Sequence, residues 1–267
     1  MEFLAYIFAA AIGISLGLIG AGGSILTVPV LVYLAHVEPI LATAYSLFVV
    51  GSTALVGSIQ NAFRKLVDFK TAFLFGIPSI AAVYVTRAWI MPAIPGQFEI
   101  FNFDLDKGTT ILLLFAGLML ATSYSMIRNG HRKELANVTV TTGTEHHFGL
   151  VLLEGLGVGA LTGFVGAGGG FLIIPALVLL AGLEMKMAVG TSLFIIAMKS
   201  LLGFTGDLQA GMAIDWPFLL VFTASSVIGI FIGGWLAKYI DGARLKTGFG
   251  WFVLAMGIYM VIREVAF

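Results

Sequence analysis

GLIGAGGSILTVPVLV at residues 17–32 and GFVGAGGGFLIIPALV at residues 163–178 align without a gap at a constant offset of 146. The identities include Gly20, Ala21, Gly22, Gly23, Pro29, Leu31 and Val32 against Gly166, Ala167, Gly168, Gly169, Pro175, Leu177 and Val178. The relation runs outward from there. At the same offset Glu38 faces Glu184, Ala42 faces Ala188, and Ser46-Leu47-Phe48 faces Ser192-Leu193-Phe194. After a one-residue shift Val67-Asp68-Phe69 faces Ile214-Asp215-Trp216, so about seventy residues of each half are related. Two copies of one five-element unit is the simplest account.

The chain of 267 residues is 59% hydrophobic and 10% charged, with a mean hydropathy of +1.04. A soluble domain carries roughly 25% charged residues, so the composition is that of an all-α polytopic membrane protein. Fourteen Lys and Arg balance fourteen Asp and Glu, which leaves no cationic surplus for phosphate contacts and excludes nucleic acid as a partner. The absence of cysteine excludes disulfides, thiolate catalysis and Cys-based metal sites. MEFLAYIFAAAIGISLG at the start has no basic n-region and is expected to be the first helix rather than a cleaved signal.

Apolar stretches fall at about 3–19, 24–36, 40–62, 70–91 and 108–127, and again at about 148–165, 170–182, 186–205, 216–238 and 245–264. The second member of each set has about a dozen residues, whereas crossing the hydrocarbon takes roughly 20. These two are read as half-helices, either short crossings or re-entrant segments. Basic residues mark the cytoplasmic side. Ten of the fourteen lie in the odd-numbered connections, three (Arg87, Lys107, Arg263) on the other side, and Lys199 within a span. Both termini are therefore expected outside the cytoplasm. An odd number of crossings per half makes the second copy enter from the opposite face, giving two inverted repeats, 1–127 and 148–267, joined by a cytoplasmic linker at 128–147. The stretch 92–107 suits an interfacial loop.

Matched glycine interruptions in the two halves of a membrane protein point to a transporter's binding site. Consecutive glycines admit positive φ and let backbone approach a ligand. If half-helices begin at Ser24 and Gly170, their first N–H groups face back into the turns. Helix ends of that polarity bind anions. The competing reading is that the glycines merely let helices pack closely; it fits less well, because here they are consecutive and precede a shortened helix. Pro29 and Pro175 lie beyond the first turn of half-helices so placed and are expected to kink them. No Gly-Lys-Ser/Thr follows the glycines, and neither copy completes a dinucleotide fingerprint.

Two Gly-x-Gly-Gly motifs with a following proline, the second succeeded by Ala188-Val189-Gly190-Thr191-Ser192-Leu193 and Ile214-Asp215-Trp216, resemble the sulfite exporter TauE/SafE family, also called toluene-sulfonate uptake permeases. The likeness covers nearly the whole chain. It implies movement of sulfite, sulfonates and related anions across a bacterial inner membrane, with no enzymatic activity. The first half departs from the second, with Ser24 for the third glycine and Ala44-Tyr45-Ser46 for Gly190-Thr191-Ser192. A symmetric site is therefore not expected.

Ionisable groups inside spans are functional by default. Lys199 follows Ser192 by seven residues and shares its helix face. With Thr191 and Ser192 it offers a cation and hydroxyls to a sulfonate; alternatively it neutralises Asp207 or Glu154. By helical rise Glu154 lies roughly 9 Å and Lys199 roughly 20 Å from the cytoplasmic face. Glu154 is a candidate carrier of a coupling proton, or reaches the interface. Gln60, Asn61 and Asp207 end corresponding helices and are placed at the entrances, as coupling or gating residues. Asp68 and Asp215 suit helix caps. The substrate-binding set is thus Gly20, Gly22, Gly23, Ser24, Gly166, Gly168, Gly169, Gly170, Ser46, Thr191, Ser192 and Lys199.

The leading reading is a secondary transporter for a small sulfur-containing anion, working by alternating access; an anion channel of the same architecture is the alternative. An intramembrane enzyme fares worst, because all four histidines fall in or beside loops and His146 and His147 suit a solvated pair. No cofactor or metal is expected. Candidate partners are the anion, the lipid bilayer, coupling protons and a second copy of the chain as a homodimer.

Overall fold

A computed structural model of the chain describes residues 2–100, 103–130, 148–179, 181–237, 239 and 242–266. The first half runs α1 (Glu2–Ile19), a 3-10 helix (Ala21–Leu26), α2 (Thr27–Tyr33), α3 (Pro39–Phe63) and α4 (Phe69–Val85). α4 continues through a π-turn at Thr86–Ile90 into the single turn α5 (Met91–Ala93), and after a hairpin comes α6 (Lys107–Gly130). The second half is α7 (Phe148–Val165), α8 (Gly170–Leu179), α9 (Met185–Gln209), α10 (Trp216–Leu236) and α11 (Gly242–Ala266). Among the described residues five helices are long and apolar enough to cross a membrane, namely those at Pro39–Phe63, Phe69–Ala93, Lys107–Tyr124, Met185–Gln209 and Trp216–Leu236. The protein is a multi-pass membrane protein whose apolar spans are helical.

Helix boundaries follow local chemistry. The Glu38 carboxylate accepts from the Ile40 and Leu41 N–H groups ahead of Pro39, satisfying donors that a helix start leaves open. Asp68 accepts from the Lys70 and Thr71 N–H groups and Asp215 from that of Phe218, so both act as the caps their sequence context suggests. Left-handed residues end the elements at matched places: His36 (φ 55) and Gly182 (φ 66), Lys65 (φ 59) and Gly211 (φ 79), Gly20 (φ 75) and Gly166 (φ 73).

Contacts recur with the halves exchanged. α1 packs on α10 and α7 on α4, α3 on α10 and α9 on α4, while α3 meets α9 and α6 meets α11. A Cβ at Gly13 would meet the Ser226 carbonyl, and one at Gly159 the Ser79 carbonyl. Gly57 lies against Leu193 and Ile230, and Gly203 against Leu47 and Val83. The Asp68 N–H donates to Thr191 Oγ1 at 2.9 Å, and the Asp215 N–H to the Tyr45 hydroxyl at 2.7 Å. In every case the second member is the first with each residue replaced by its aligned mate. The buried apolar core lies where α3 and α9 cross, with Val49, Val50, Ile195 and Ile196 among its members.

The stretch 92–107 differs from a plain loop. Gln97–Ile100 (β1) and Phe103–Asp106 (β2) pair antiparallel, Gln97 opposite Asp106 and Ile100 opposite Phe103. Alternation of apolar and acidic residues with period two favours a strand pair over an irregular connection. Most of the 128–147 linker, with His146 and His147, lies outside the described residues.

Candidate functional site

The second glycine turn carries three positive-φ glycines, Gly166, Gly168 and Gly169, to the first turn's one, Gly20. The Gly166 N–H donates to the Thr162 carbonyl at 2.8 Å and closes α7. Gly168 (φ 65) and Gly169 (φ 63) then take left-handed conformations that side chains disfavour. The Gly169 carbonyl accepts from the Leu172 and Ile173 N–H groups at 3.1 and 3.3 Å, so α8 starts at Gly170 as its sequence suggests. The first N–H groups of α8 have no acceptor within the helix and give this end a partial positive charge.

Lys199 adds a full charge. It is completely buried, and its Nζ donates to Thr162 Oγ1 at 3.0 Å. The same Nζ lies 2.9 Å from the point a Gly169 Cβ would occupy. Among the described residues the one ion pair is Arg87–Asp207, so Lys199 neutralises neither Asp207 nor Glu154. That alternative is corrected: Asp207 is taken by an arginine. An ammonium has three donors, and one is used.

The first turn is built differently. Gly20 turns at φ 75, but Gly22, Gly23 and Ser24 lie in the 3-10 helix Ala21–Leu26, and α2 begins only at Thr27. The expected helix start at Ser24 is therefore corrected. Tight i→i+3 bonds, such as Thr27 N–H to the Ser24 carbonyl, engage donors that an α-helical start would leave free. A Cβ at Gly23 would come within 2.5 Å of the Leu16 N, so this glycine serves close packing. Pro29 falls in the first turn of α2, where its missing N–H costs no bond, rather than kinking a helix interior as expected. Pro175 sits inside α8. The two turns meet: a Cβ at Gly168 would lie 2.6 Å from Val50 Cγ1, 3.4 Å from Ile196 Cγ2 and 3.5 Å from Ser24 Cβ.

The other sequence-chosen residues are dispersed. Thr191 is buried with its hydroxyl accepting from the Asp68 N–H, and Ser192 donates to the Val189 carbonyl at 2.8 Å. Both hydroxyls serve the scaffold. Ser46 is fully buried and its Oγ has no partner among the described residues, as is true of Ser200 beside Lys199. Asn61 Nδ2 donates to the Gly57 carbonyl, and the Asn61 carbonyl accepts from Arg64 and Leu66, closing α3. Gln60 Oε1 lies 3.5 Å from a Cβ placed at Gly234. Glu154, in α7, has a buried, unpartnered Oε2.

Two participants escape the sequence reading. Thr162, which holds Lys199, stands where the first copy has Leu16; that mismatch one turn before the glycines is the signal. Arg87, counted with a loop, is fully buried in the π-turn. Its Nη1 donates to Thr43 Oγ1 at 3.0 Å and Asp207 Oδ1 at 3.2 Å. The signal was its place within the apolar stretch 70–91. Outside this pair a cavity of about 160 Å³ opens, its wall including Arg87, Lys107 and Asp207. Removing one member of a buried pair strands the other, at a cost of about 3–5 kcal/mol, whereas replacing both by apolar groups is often neutral. Arg87→Met and Asp207→Leu are each expected to lower the melting temperature in detergent, and the double variant to melt above either single one.

Five long apolar helices, with two shorter stretches interrupted at matched glycines that meet in the core, define a multi-pass membrane protein with the discontinuous helices typical of transporters. The chain belongs to the sulfite exporter TauE/SafE family: the family description "Sulfite exporter TauE/SafE" matches residues 5–260. It is similar to a "Probable membrane transporter protein" of Xylella fastidiosa (strain 9a5c), 28% identical over 95% of this chain and 92% of that one. It is similar also to the "Probable membrane transporter protein YunE" of Bacillus subtilis (strain 168), 28% identical over 84% and 82%. With the "Probable membrane transporter protein MJ0441" of Methanocaldococcus jannaschii it shares 34% identity over 42% of this chain and 43% of the relative. No solved structure matches. The protein is a membrane transporter of this family.

Proposed function

We propose that the protein is a secondary transporter for a small sulfur-containing oxyanion such as sulfite or an organosulfonate, which binds at the Gly166–Gly170 turn against Lys199. One observation carries this reading: a fully buried ammonium, held by a single hydroxyl, stands at the start of a helix beside two glycines of positive φ. A sulfonate or sulfite would take the remaining donors of Lys199 and the first N–H groups of α8. A Cβ at Gly169 would collide with Thr162 Cγ2 and come within 2.9 Å of Lys199 Nζ, so a side chain there displaces the group that holds the ammonium.

The exchanged contacts support a two-fold relation between 1–127 and 148–267. With an odd number of crossings per half the axis lies in the membrane plane, the repeats are inverted, and rocking one half on the other alternates access. The excess of Lys and Arg on one side then puts both termini outside the cytoplasm, in an inner membrane. Glu154, with its unpartnered oxygen, is the candidate for a coupling proton.

The test is uptake into proteoliposomes. Sulfite flux should saturate with concentration and respond to an imposed pH gradient. Ohmic currents at channel rates would replace the transporter by a pore of the same architecture.

A further inference from the structure

We propose that the cavity outside the Arg87–Asp207 pair is a second anion site, in which a small oxyanion is received by Lys107 and competes with Asp207 for the Arg87 guanidinium. Its wall includes neither the Gly166–Gly170 turn nor Lys199, although Thr43 touches both Arg87 and Gly166.

Charge comes first. Two cations, Arg87 and Lys107, line this cavity with one carboxylate, Asp207, while Glu38 lies near enough to Lys107 to act on it. Its volume of about 160 Å³ is ample for a small oxyanion, since a single water needs only about 10–15 Å³ by the same kind of measure. Lys107 Nζ donates to the carbonyls of Met91 and Ile94, which leaves one of its three donors.

The guanidinium points the same way. Nη1 makes both bonds, to Thr43 and Asp207, whereas Nε and Nη2 have no partner among the described residues. These two nitrogens share one edge of the planar group, and their parallel N–H bonds match two oxygens of one oxyanion. Arg87 is fully buried, so that edge is reached when the pair with Asp207 loosens. Binding and loosening are then one event. Asp207 Oδ2 is equally unpartnered, which leaves the pair under-coordinated for a purely structural bridge.

Position distinguishes the pair from scaffold. In the other half the residue aligned with Arg87 is Gly234, and the one aligned with Asp207 is Asn61. The helices pack in the same exchanged pairs at both ends, so packing alone does not require the charges. Arg87 also sits in a π-turn, Thr86–Ile90, a feature frequent at functional sites.

The experiment uses the full chain in detergent, sulfite in chloride-free buffer as the probe, and a Lys199→Met background that weakens binding at the glycine turn by about tenfold or more. In that background Asp207→Asn should bind sulfite about tenfold tighter, because an internal competitor for a charge-assisted hydrogen bond is gone. Lys107→Met should bind several-fold more weakly, and Arg87→Gln/Asp207→Asn should show no saturable binding. A merely structural pair would not give tighter binding when Asp207 is neutralised, so equal or weaker affinity in that variant overturns the proposal. If Asp207→Asn does not fold, Lys107→Met and Arg87→Lys decide, and unchanged affinity in both overturns it. Loss of all sulfite binding in Lys199→Met alone would overturn this site and keep the glycine-turn reading. Unchanged binding there, abolished by Arg87→Gln/Asp207→Asn, would do the reverse.

Discussion

Lys199→Met is expected to cost the protein most of its sulfite affinity at the glycine turn while raising its melting temperature. The two effects have one origin. An ammonium removed from water and given a single hydroxyl partner is held against a desolvation cost that a thioether of similar length does not carry. Losing a charge-assisted hydrogen bond to the anion, worth about 1.5–3 kcal/mol, weakens binding by about 10- to 150-fold. Relief of even about 1 kcal/mol raises the melting temperature by about 2–4 °C in a chain of this order of size. Isothermal titration and thermal unfolding on the same preparation read both quantities. Undiminished glycine-turn affinity together with a lower melting temperature would make Lys199 a structural residue.

Gly169→Val is expected to abolish binding and reduce proteoliposome uptake to background, with the protein still inserted in the membrane. A valine at φ 63 is in a region that β-branched residues rarely enter. Its Cβ would meet Thr162 and lie 2.9 Å from Lys199 Nζ, displacing the cation and filling the turn. Insertion depends on the apolar length of α7 and its neighbours, which the substitution does not shorten. Wild-type affinity in a correctly inserted Gly169→Val protein would remove this turn from the site.

Much of the architecture is legible in the sequence because hydrophobic length and turn chemistry are local. The repeat offset locates both glycine turns, and Asp68 and Asp215 announce their helices by capping chemistry. The 3-10 start of the first half-helix was not legible. GAGGSIL and GAGGGFL differ little in composition, and it is packing of Gly23 against α1 that decides how the chain enters α2. Thr191 and Ser192 show the same limit from another side. Their helix face is correct, but which hydroxyl meets a ligand and which meets a neighbouring N–H depends on α4, distant in sequence. Arg87 was hidden because a single charge near the end of an apolar stretch reads equally as loop or span. Only its partners Thr43 and Asp207, on other helices, distinguish the two.

The exchanged contacts carry a mechanical consequence. Gly166 is pressed on Thr43 and, at the aligned place in the other half, Gly20 on Val189. On the inverted-repeat reading, tilting one half against the other must relax one of these abutments as it tightens its twin, so the protein behaves as a seesaw whose arms are the two glycine turns. Matched contacts contribute alike to either tilt and cancel. The resting position is then set by the pairs without a polar counterpart: Thr162 with Lys199, whose aligned positions hold Leu16 and Thr53, and Arg87 with Asp207, whose aligned positions hold Gly234 and Asn61. A handful of side chains, rather than the bulk of the bundle, weights the beam.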